Sequence, residues 1–596
     1  MAVGRGSQAG AALDGQLDRS PMKGPICLLI VSIGCCGGWR VYDYDLTVIG
    51  SGASGLLAAG TSASLGFKTL LVEKTGAGTG TEPEFYVGGD CTNAACVPSK
   101  AVRSIASIAA AKSSEIQYDG MRIARQQSSY AVDEVRARED VARLANDVPS
   151  LDLEFVQGCH FESDGRLNIL CYDNSTWLRE DTSSTEGGLP VQERTISSKR
   201  FIIATGAGPK VPDDLRRAAE QSGVPYHTYR SILRPGGGHH RSSNSRLDAA
   251  SLLGPHDDIV MIGGGATACE LGQSLCRLAR TTNTTVSIVA PELLPDEDAA
   301  LRDAACALLK NDGCKLHLGV RATNLTEGEQ DGVRHLILSD NTRIKADCVV
   351  FCTGRSPESS LASLMLQNIG VEWTERGIKV DSCLKTTARH VYAVGDCAAV
   401  HPRDRRAAHA GWTGFKAVGN AMLPWFLRAP ATHPFVPRVI YTVPELAAAG
   451  MTANECVREY GEDGYDVFSV REKGTDRADM DSKERFTEAN FIELRAEKIS
   501  GRILGASACG PAAAETINEV CLSLVNKLTV RDVARTLHSY PSHGYLLHRC
   551  ATALATKDVA GLLSSCGGVG EFLGRLLRMF NKVKQYLRRS ARSKKD

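Results

Sequence analysis

The chain has 596 residues, 43% hydrophobic and 23% charged, which is the composition of a folded protein of several domains and excludes wholesale disorder. With 69 Lys and Arg against 68 Asp and Glu, the net charge of +1 excludes nucleic-acid binding through bulk positive charge. The 20 cysteines are too dilute for a disulfide-stapled scaffold and show no repeated CxxC zinc spacing, while the 58 glycines suit a fold with several phosphate loops.

No run reaches the roughly 18–20 apolar residues that span a bilayer. The nearest, Pro25–Trp39, follows Arg5, Arg19 and Lys23 and ends in small residues. It reads as a targeting segment of open destination or as a disordered extension. Residues 1–41 are placed outside the fold, and a first α/β unit opens at Tyr42.

Leu46–Ile49 has the pattern of a buried strand. Gly50-Ser51-Gly52-Ala53-Ser54-Gly55 follows, then a helical stretch Leu56–Leu65 and a second strand Thr69–Val72 that ends in Glu73. Strand, GxGxxG, helix, strand and acid in this order form the dinucleotide fingerprint in its required context. Gly50 permits the tight turn, Gly52 lets backbone approach a pyrophosphate at the helix N-terminus, and Gly55 lets helix and strand pack closely. Glu73 can accept hydrogen bonds from a ribose diol.

The run from Gly88 to Lys100 places Cys91 and Cys96 five residues apart at the start of a helix. They can close a disulfide if the turn is distorted, which Asn93, Ala94 and Ala95 permit. A thiolate at a helix N-terminus is favoured, and Lys100 adds positive charge.

Two polar stretches, 173–198 and 234–250, lack an apolar period and read as surface insertions. A second α/β unit opens near Asp257. Its strand Ile259–Ile262 leads into Gly263-Gly264-Gly265-Ala266-Thr267-Ala268, a helix Cys269–Leu278 and a strand Val286–Val289. Ala268 at the third glycine is tolerated, and the strand-end position Ala290 carries no acid. Glu292, Asp296, Glu297 and Asp298 follow, with no basic residue before Arg302. A 2′-phosphate would meet negative charge there, which favours NADH over NADPH. Two fingerprints imply two dinucleotides, and nicotinamide plus flavin is the natural pair.

Strand-like runs return at Cys348–Cys352 and Val391–Val394, and a different pattern of strands and helices follows Pro434. Phe572, Leu576, Phe580, Val583 and Leu587 then mark one helix face, with Arg575, Arg578, Lys582, Lys584 and Arg588 around it. Such a basic amphipathic helix can lie on an anionic membrane, dock a partner, or pack on its own body.

The run GGDC-x4-CVPSK, with both fingerprints in this order, resembles the class I pyridine nucleotide-disulfide oxidoreductases, which include dihydrolipoamide dehydrogenase, glutathione reductase and mercuric reductase. The resemblance covers about residues 42–555. Ala204-Thr205-Gly206 is similar to the family's exit from the FAD domain, and Thr353-Gly354-Arg355-Ser356-Pro357 to its re-entry. Val391–Asp396 is similar to the strand whose terminal aspartate holds the flavin ribityl chain. Ala408-His409-Ala410 begins a helix (411–422) expected to face the flavin, and Gly158 matches an adenine-side contact. Runs 474–479 and 502–506 are most similar to mercuric reductase-like members.

The resemblance implies an α/β fold with two Rossmann-like domains, FAD-binding (42–206 and 345–425) and NAD(P)-binding (207–344), plus a C-terminal α+β dimerisation domain (434–555). The leader 1–41 and the basic tail 556–596 lie outside them. It further implies a homodimer in which electrons pass from the nicotinamide through FAD into a Cys91–Cys96 disulfide, and on to a small-molecule or protein disulfide. In that pattern Cys96 is the charge-transfer thiol and Cys91 the interchange thiol. Lys100 and Glu270 lie near the flavin and the nicotinamide, where an ion pair would hold the path in register. Thr205, Gly206, Gly263, Gly265, Glu292 and Gly354 are cofactor contacts.

One departure stands out. Where dithiol-handling members carry His-x-His-Pro-x-x-x-Glu, this chain reads His538-Ser539-Tyr540-Pro541-Ser542-His543-Gly544-Tyr545. Tyr540 takes the place of the base, which would reach Cys91 of the partner subunit, and Tyr545 that of the orienting acid. Tyrosine ordinarily titrates at ~10 and is a poor base near neutrality. Unless His538 or His543 substitutes, the double change points to an acceptor that needs no thiol protonation, such as Hg(II) or a quinone. Mercuric reductases also lack this histidine, although no N-terminal metal-binding domain or C-terminal vicinal cysteine pair is evident here. The alternative from another class is a non-catalytic flavoprotein that works through its basic tail helix.

Overall fold

The computed structural model describes residues 41–74, 87–112, 150–172, 191–233, 256–280, 284–327, 333–399, 405–431, 435–471 and 490–565, with the single positions 282, 477 and 576. The leader segment Pro25–Trp39, the 234–250 stretch and the basic face of 572–587 lie outside the described residues. Among the described residues, no helix is long and apolar enough to cross a membrane.

The first unit begins with β1 (Tyr44–Ile49), α1 (Ala53–Ser64), β2 (Thr69–Lys74), α2 (Gly89–Asn93) and α3 (Cys96–Lys112), and continues with β3 (Leu151–Phe161), β4 (Leu167–Tyr172), β5 (Val191–Ile196) and β6 (Ser198–Ile203). Leu46, Thr47 and Val48 are fully buried, as a parallel strand covered on both faces requires. β1 pairs in parallel with β2 on one side and β6 on the other, so the strand order switches direction there. A doubly wound sheet opens a ligand crevice at the carboxyl ends beside such a switch.

Part of the 173–198 stretch is not an insertion. Val191–Ile196 is an antiparallel strand against β4, with Ile196 buried. Its polarity belongs to an edge strand: Asn168 donates to Glu193 at 2.5 Å, and Arg194 pairs with Glu154 on β3 at 3.0 Å.

The second unit holds β7 (Tyr226–Thr228), α4 (Tyr229–Ile232), β8 (Asp258–Ile262), α5 (Ala266–Ala279), β9 (Thr285–Ala290), α6 (Ala299–Asn311), β10 (Lys315–Leu318) and β11 (Cys348–Phe351). Their order is β10-β9-β8-β11-β7 and every pairing is parallel. The boundary at 345 therefore falls one strand early. Cys348–Phe351 pairs with β8 and completes the second sheet; the chain returns to the first sheet only with β12 (Val391–Ala393), beside β6. An apolar strand buried on both faces reads alike in either sheet, so only the pairing assigns it. The helix expected over 411–422 starts earlier, as α7 (Ala407–Met422). It lies close on α1, for a Cβ on Gly414 would stand 2.2 Å from the Ser54 carbonyl oxygen.

The third unit is an antiparallel sheet of β13 (Arg438–Ile440), β14 (Glu445–Gly450), β15 (Tyr465–Arg471), β16 (Phe491–Glu497) and β17 (Ile503–Gly510), in the order β13-β14-β17-β16-β15. Helices α8 (Ala513–Val525), α9 (Val530–Arg535) and α10 (Tyr545–Ser565) pack on it around Ile517, Val520 and Leu547. α10 continues past the boundary at 555, and its first half packs on the sheet through Leu546, Leu547, Cys550, Ala551 and Leu554.

Buried ion pairs join this sheet to the second unit. Arg438 meets Glu297 at 2.9 Å and Arg495 meets Asp298 at 2.9 Å, and all four residues are at most 7% exposed. Glu297 and Asp298 are therefore interface ligands rather than charges facing a nucleotide. Arg302 folds back to Glu292 at 2.6 Å. The acidic run set against a 2′-phosphate is engaged elsewhere, and sequence distance concealed its partners.

Candidate active site

The two fingerprint loops are built alike. Gly50 has φ +104°, and a Cβ there would stand 2.6 Å from the Ala204 carbonyl oxygen; Gly263 has φ +122° and the same relation to Cys352 at 2.3 Å. Only glycine fits both demands. At Gly55 a Cβ would overlap the Gly50 carbonyl oxygen, which is the close helix-strand packing the fingerprint needs. By contrast, a Cβ at Gly52 or Gly265 meets nothing within 4 Å. Each loop thus faces open space where backbone amides at a helix start can cradle a pyrophosphate. Gly206 (φ +68°) and Gly354 (φ +104°) also border open space. The residues present fit one dinucleotide on each sheet.

Glu73 is the penultimate residue of β2, and its carboxyl oxygen accepts the Ser51 backbone N–H. Burial raises this carboxyl to about 7. Gly158 sits at a register shift between β3 and β4 with free space above its Cα, the place in a strand where another molecule can approach backbone. Thr205 and Gly206 follow β6, and Ala408 lies exposed in the first turn of α7. On the second site, Gly263, Gly265 and Glu292 surround the end of β8, with Gly354 just after β11.

We expect Gly52→Val to fold normally and to elute without flavin colour. Its backbone φ of −70° suits any residue, so the branched side chain fills only the open cradle. A loss of about a hundredfold in FAD affinity, ~2.7 kcal/mol, is the anticipated size. Undiminished flavin absorbance after gel filtration would show that the cradle lies elsewhere.

The redox segment rides on the first loop. The Gly88 N–H donates to the Ser51 carbonyl at 2.9 Å, and a Cβ on Gly89 would meet the Gly52 Cα at 2.9 Å. Asn93 bridges back to the Val87 and Gly89 carbonyls at 3.0 and 2.9 Å, holding the turn between the cysteines. Cys91 lies on α2 and Cys96 opens α3; both are half-buried and carry free thiols. The Cys91 thiol donates toward the Cys96 sulfur. That contact, with help from Lys100 and Arg355, lowers Cys96 to about 7 against the opposing effects of burial and Glu270. Cys91, whose proton is committed to this contact, is pushed up. The pair is thus polarised, with the thiolate on Cys96.

Charged side chains surround it. Lys100 Nζ meets Glu270 on α5 at 2.9 Å and lies 4.2 Å from the centre of the Tyr441 ring. The other Glu270 oxygen accepts the Tyr441 backbone N–H at 3.0 Å. Gln273, one turn along, accepts from the Val443 N–H at 2.7 Å. One helix of the second unit therefore ties the redox helix to the third unit.

On the other side, Asp90 accepts from Tyr229 Oη at 2.6 Å, Arg230 Nε at 2.8 Å and an Arg355 amino group at 3.0 Å. Burial presses the Asp90 carboxyl upward, but Arg230, Tyr229 and Arg355 outweigh it and hold it low. Arg355 also meets Asp396 at 2.9 Å and stands over the Tyr229 ring at 5.5 Å. Sequence reasoning did not assign roles to Asp90, Tyr229, Arg230, Arg355 or Tyr441. Asp90 had a signal in its place beside Cys91. Tyr229, Arg230 and Tyr441 had none, since only folding brings them near.

Tyr540 is 59% exposed, its ring 5.2 Å from Tyr545 and edge-on to it. Tyr545 in turn stacks on His548 at 5.3 Å. His538 is engaged at both nitrogens, with the Thr536 carbonyl at 2.9 Å and Glu519 at 2.8 Å. His543 lines a small pocket with Phe491, Thr516 and Leu546. An aromatic pair stands where the resemblance puts an acid-base dyad.

Comparisons agree with this geometry. A family profile described as pyridine nucleotide-disulphide oxidoreductase matches residues 44–414, and its dimerisation domain matches 436–548. The chain is 27% identical over 531 residues to the mitochondrial dihydrolipoyl dehydrogenase of Pisum sativum, covering 87% of this chain and 92% of that one. It is 28% identical over 546 residues to the dihydrolipoyl dehydrogenase of Thermus scotoductus, covering 87% and 98%. The HOCl-induced flavoprotein disulfide reductase RclA of Escherichia coli shares the fold, with a TM-score of 0.64 at 20% identity over 85% of this chain and 99% of that one. The chain belongs to the pyridine nucleotide-disulphide oxidoreductase family, and is an FAD- and NAD(P)H-dependent enzyme of that class.

Proposed function

We propose that Cys96 holds the resting thiolate, that Cys91 attacks the acceptor, and that the acceptor is one whose reduction needs no general acid-base dyad. The single observation behind this reading is the coexistence of a polarised Cys91/Cys96 pair with the Tyr540–Tyr545 aromatic pair. Bound FAD and NAD(P)H supply the two-electron reduction that opens the Cys91–Cys96 disulfide.

The rest is done by this chain's side chains. Cys91 sulfur, once deprotonated, attacks one sulfur of a disulfide acceptor and forms a mixed disulfide as the other acceptor sulfur leaves as thiolate. Cys96 thiolate then attacks Cys91 sulfur, restores the Cys91–Cys96 bond and releases the second thiolate. Lys100 and Arg355 stabilise the negative charge on Cys96 between these steps. Glu270 keeps Lys100 in place. His538 is committed to Glu519 and the Thr536 carbonyl, and Tyr540 and Tyr545 occupy the two dyad positions. Acceptors with stable leaving groups fit best, as do soft metal ions such as Hg(II) that two thiolates bind directly. A mercuric reductase-like acceptor preference follows from this reading, as does a homodimer in which Tyr540 of one protomer faces Cys91 of the partner.

The test is an acceptor panel on wild type and on a Tyr540→His, Tyr545→Glu double variant. Restoring the dyad should raise lipoamide or glutathione disulfide reduction by about a hundredfold, the usual scale of general acid-base catalysis, and leave Hg(II) or quinone turnover within a factor of a few. Wild-type reduction of these disulfides equal to that of the double variant would sink the proposal.

For nucleotide choice we propose NADH, on the carboxylate of Glu292. Glu292→Gln frees Arg302 from its 2.6 Å pair. The ratio of kcat/KM for NADPH over NADH should then rise about fivefold or more, roughly 1 kcal/mol. An unchanged ratio would place the ribose contact on other residues.

A further inference from the structure

Two other cysteines meet in the second unit, away from the catalytic pair. Helix α5 turns Gln273, Cys276, Arg277 and Arg280 toward the turn that joins α6 to β10, a spacing that puts all four on one face. Asp312 in that turn accepts from Gln273 Nε2 at 2.9 Å and pairs with Arg277 at 3.0 Å and Arg280 at 2.7 Å. Between these bonds Cys276 lies within hydrogen-bonding reach of Cys314, which stands two residues beyond Asp312. Each cysteine is 5% exposed and both lie in one apolar core, as free thiols. Neither takes part in the reaction above.

We propose that Cys276 and Cys314 are a second redox dithiol, which closes to a disulfide under peroxide and cross-links the nucleotide-binding helix to the α6–β10 turn. The Asp312 bonds to Gln273, Arg277 and Arg280 hold the two segments together around the pair. Hydrogen peroxide, a two-electron oxidant small enough for a buried site, balances the step. Cys314 sulfur attacks a peroxide oxygen to give a sulfenic acid, and one water leaves. Cys276 sulfur then displaces the hydroxyl, the S–S bond forms, and a second water leaves. The closed loop contains β9 and α6, so the bond restrains opening of the unit whose helix α5 holds Glu270 against Lys100.

The experiment uses the FAD-loaded Cys91→Ser, Cys96→Ser protein, in which the catalytic pair cannot contribute. After peroxide treatment, denaturing alkylation and digestion, mass spectrometry should find the Cys276 and Cys314 peptides joined and lighter by two hydrogens, and dithiothreitol should separate them. Adding Cys314→Ser should abolish the joined peptide. The proposal is overturned if both cysteines remain alkylatable at a peroxide dose that fully closes Cys91–Cys96 in the wild type. It is equally overturned if Cys314 ends as sulfinic acid, or pairs instead with Cys269, which shares the same core. Because the background lacks the catalytic cysteines, failure here says nothing against their proposed roles.

Discussion

Cys91→Ala should raise the midpoint of the Cys96 thiol from about 7 into or above the ordinary thiol range. The largest influence holding Cys96 down is the hydrogen that Cys91 offers it, and alanine offers none. The sign follows directly: a depressed thiol pKa means thiolate at neutral pH, and losing the donor returns the proton. At pH 7 the thiolate fraction should fall from about one half to about three in a hundred, taking ~8.5 for a free thiol. The long-wavelength absorbance of the holoenzyme, titrated from low to high pH, reports this without turnover. Cys91→Ser keeps a donor and should shift the midpoint less. Cys96→Ser should abolish the signal, and each substitution should cost disulfide turnover at least about a thousandfold. If Cys91→Ala titrates where the reduced wild type does, the polarised pair is not the source of the thiolate.

Arg355→Met should have the largest effect of any single change outside the cysteines. The guanidinium stands between Asp90 and Asp396, which are only 15% and 11% exposed, and it touches each at 3.0 and 2.9 Å. Removing it strands the Asp396 carboxylate in a poorly hydrated place and leaves Asp90 to Arg230 and Tyr229, at a cost of about 3 kcal/mol. It also removes one of the positive charges that hold Cys96 down, so the thiol midpoint should move upward. Arg355→Lys should recover part of the thiol midpoint but little of the stability, because an ammonium cannot bridge two carboxylates as a planar fork does. Denaturant unfolding of the apoprotein and a pH titration of the holoenzyme measure the two effects separately. An unchanged unfolding midpoint in Arg355→Met would mean the bridge contributes nothing to the fold.

Much of this architecture is local in origin, and so it was legible before folding. Gly50, Gly52 and Gly55 lie within six residues, and a buried strand, a tight turn and a helix start each leave a short-range mark. Cys91 and Cys96 are joined by one turn, so their pairing needed no distant partner. The replacement of the dyad by Tyr540 and Tyr545 was equally visible, since it is a matter of residue identity at fixed spacing.

What escaped was decided by charges and strands that meet across long separations. Glu297 and Asp298 looked like a barrier to a 2′-phosphate until Arg438 and Arg495, far along the chain, proved to hold them in a buried interface. Strand Cys348–Phe351 has the same apolar reading in either sheet, and only its ladder with Asp258–Ile262 assigns it. Asp90 gathers Tyr229, Arg230 and Arg355 from two later segments, a cluster without local periodicity. The chain's own residues determined where the nucleotide loops and the redox pair would form, because backbone geometry and thiol spacing act over a few residues. Tertiary structure alone decided which charges surround them, because Coulomb energy and desolvation depend on distance in space and not along the chain.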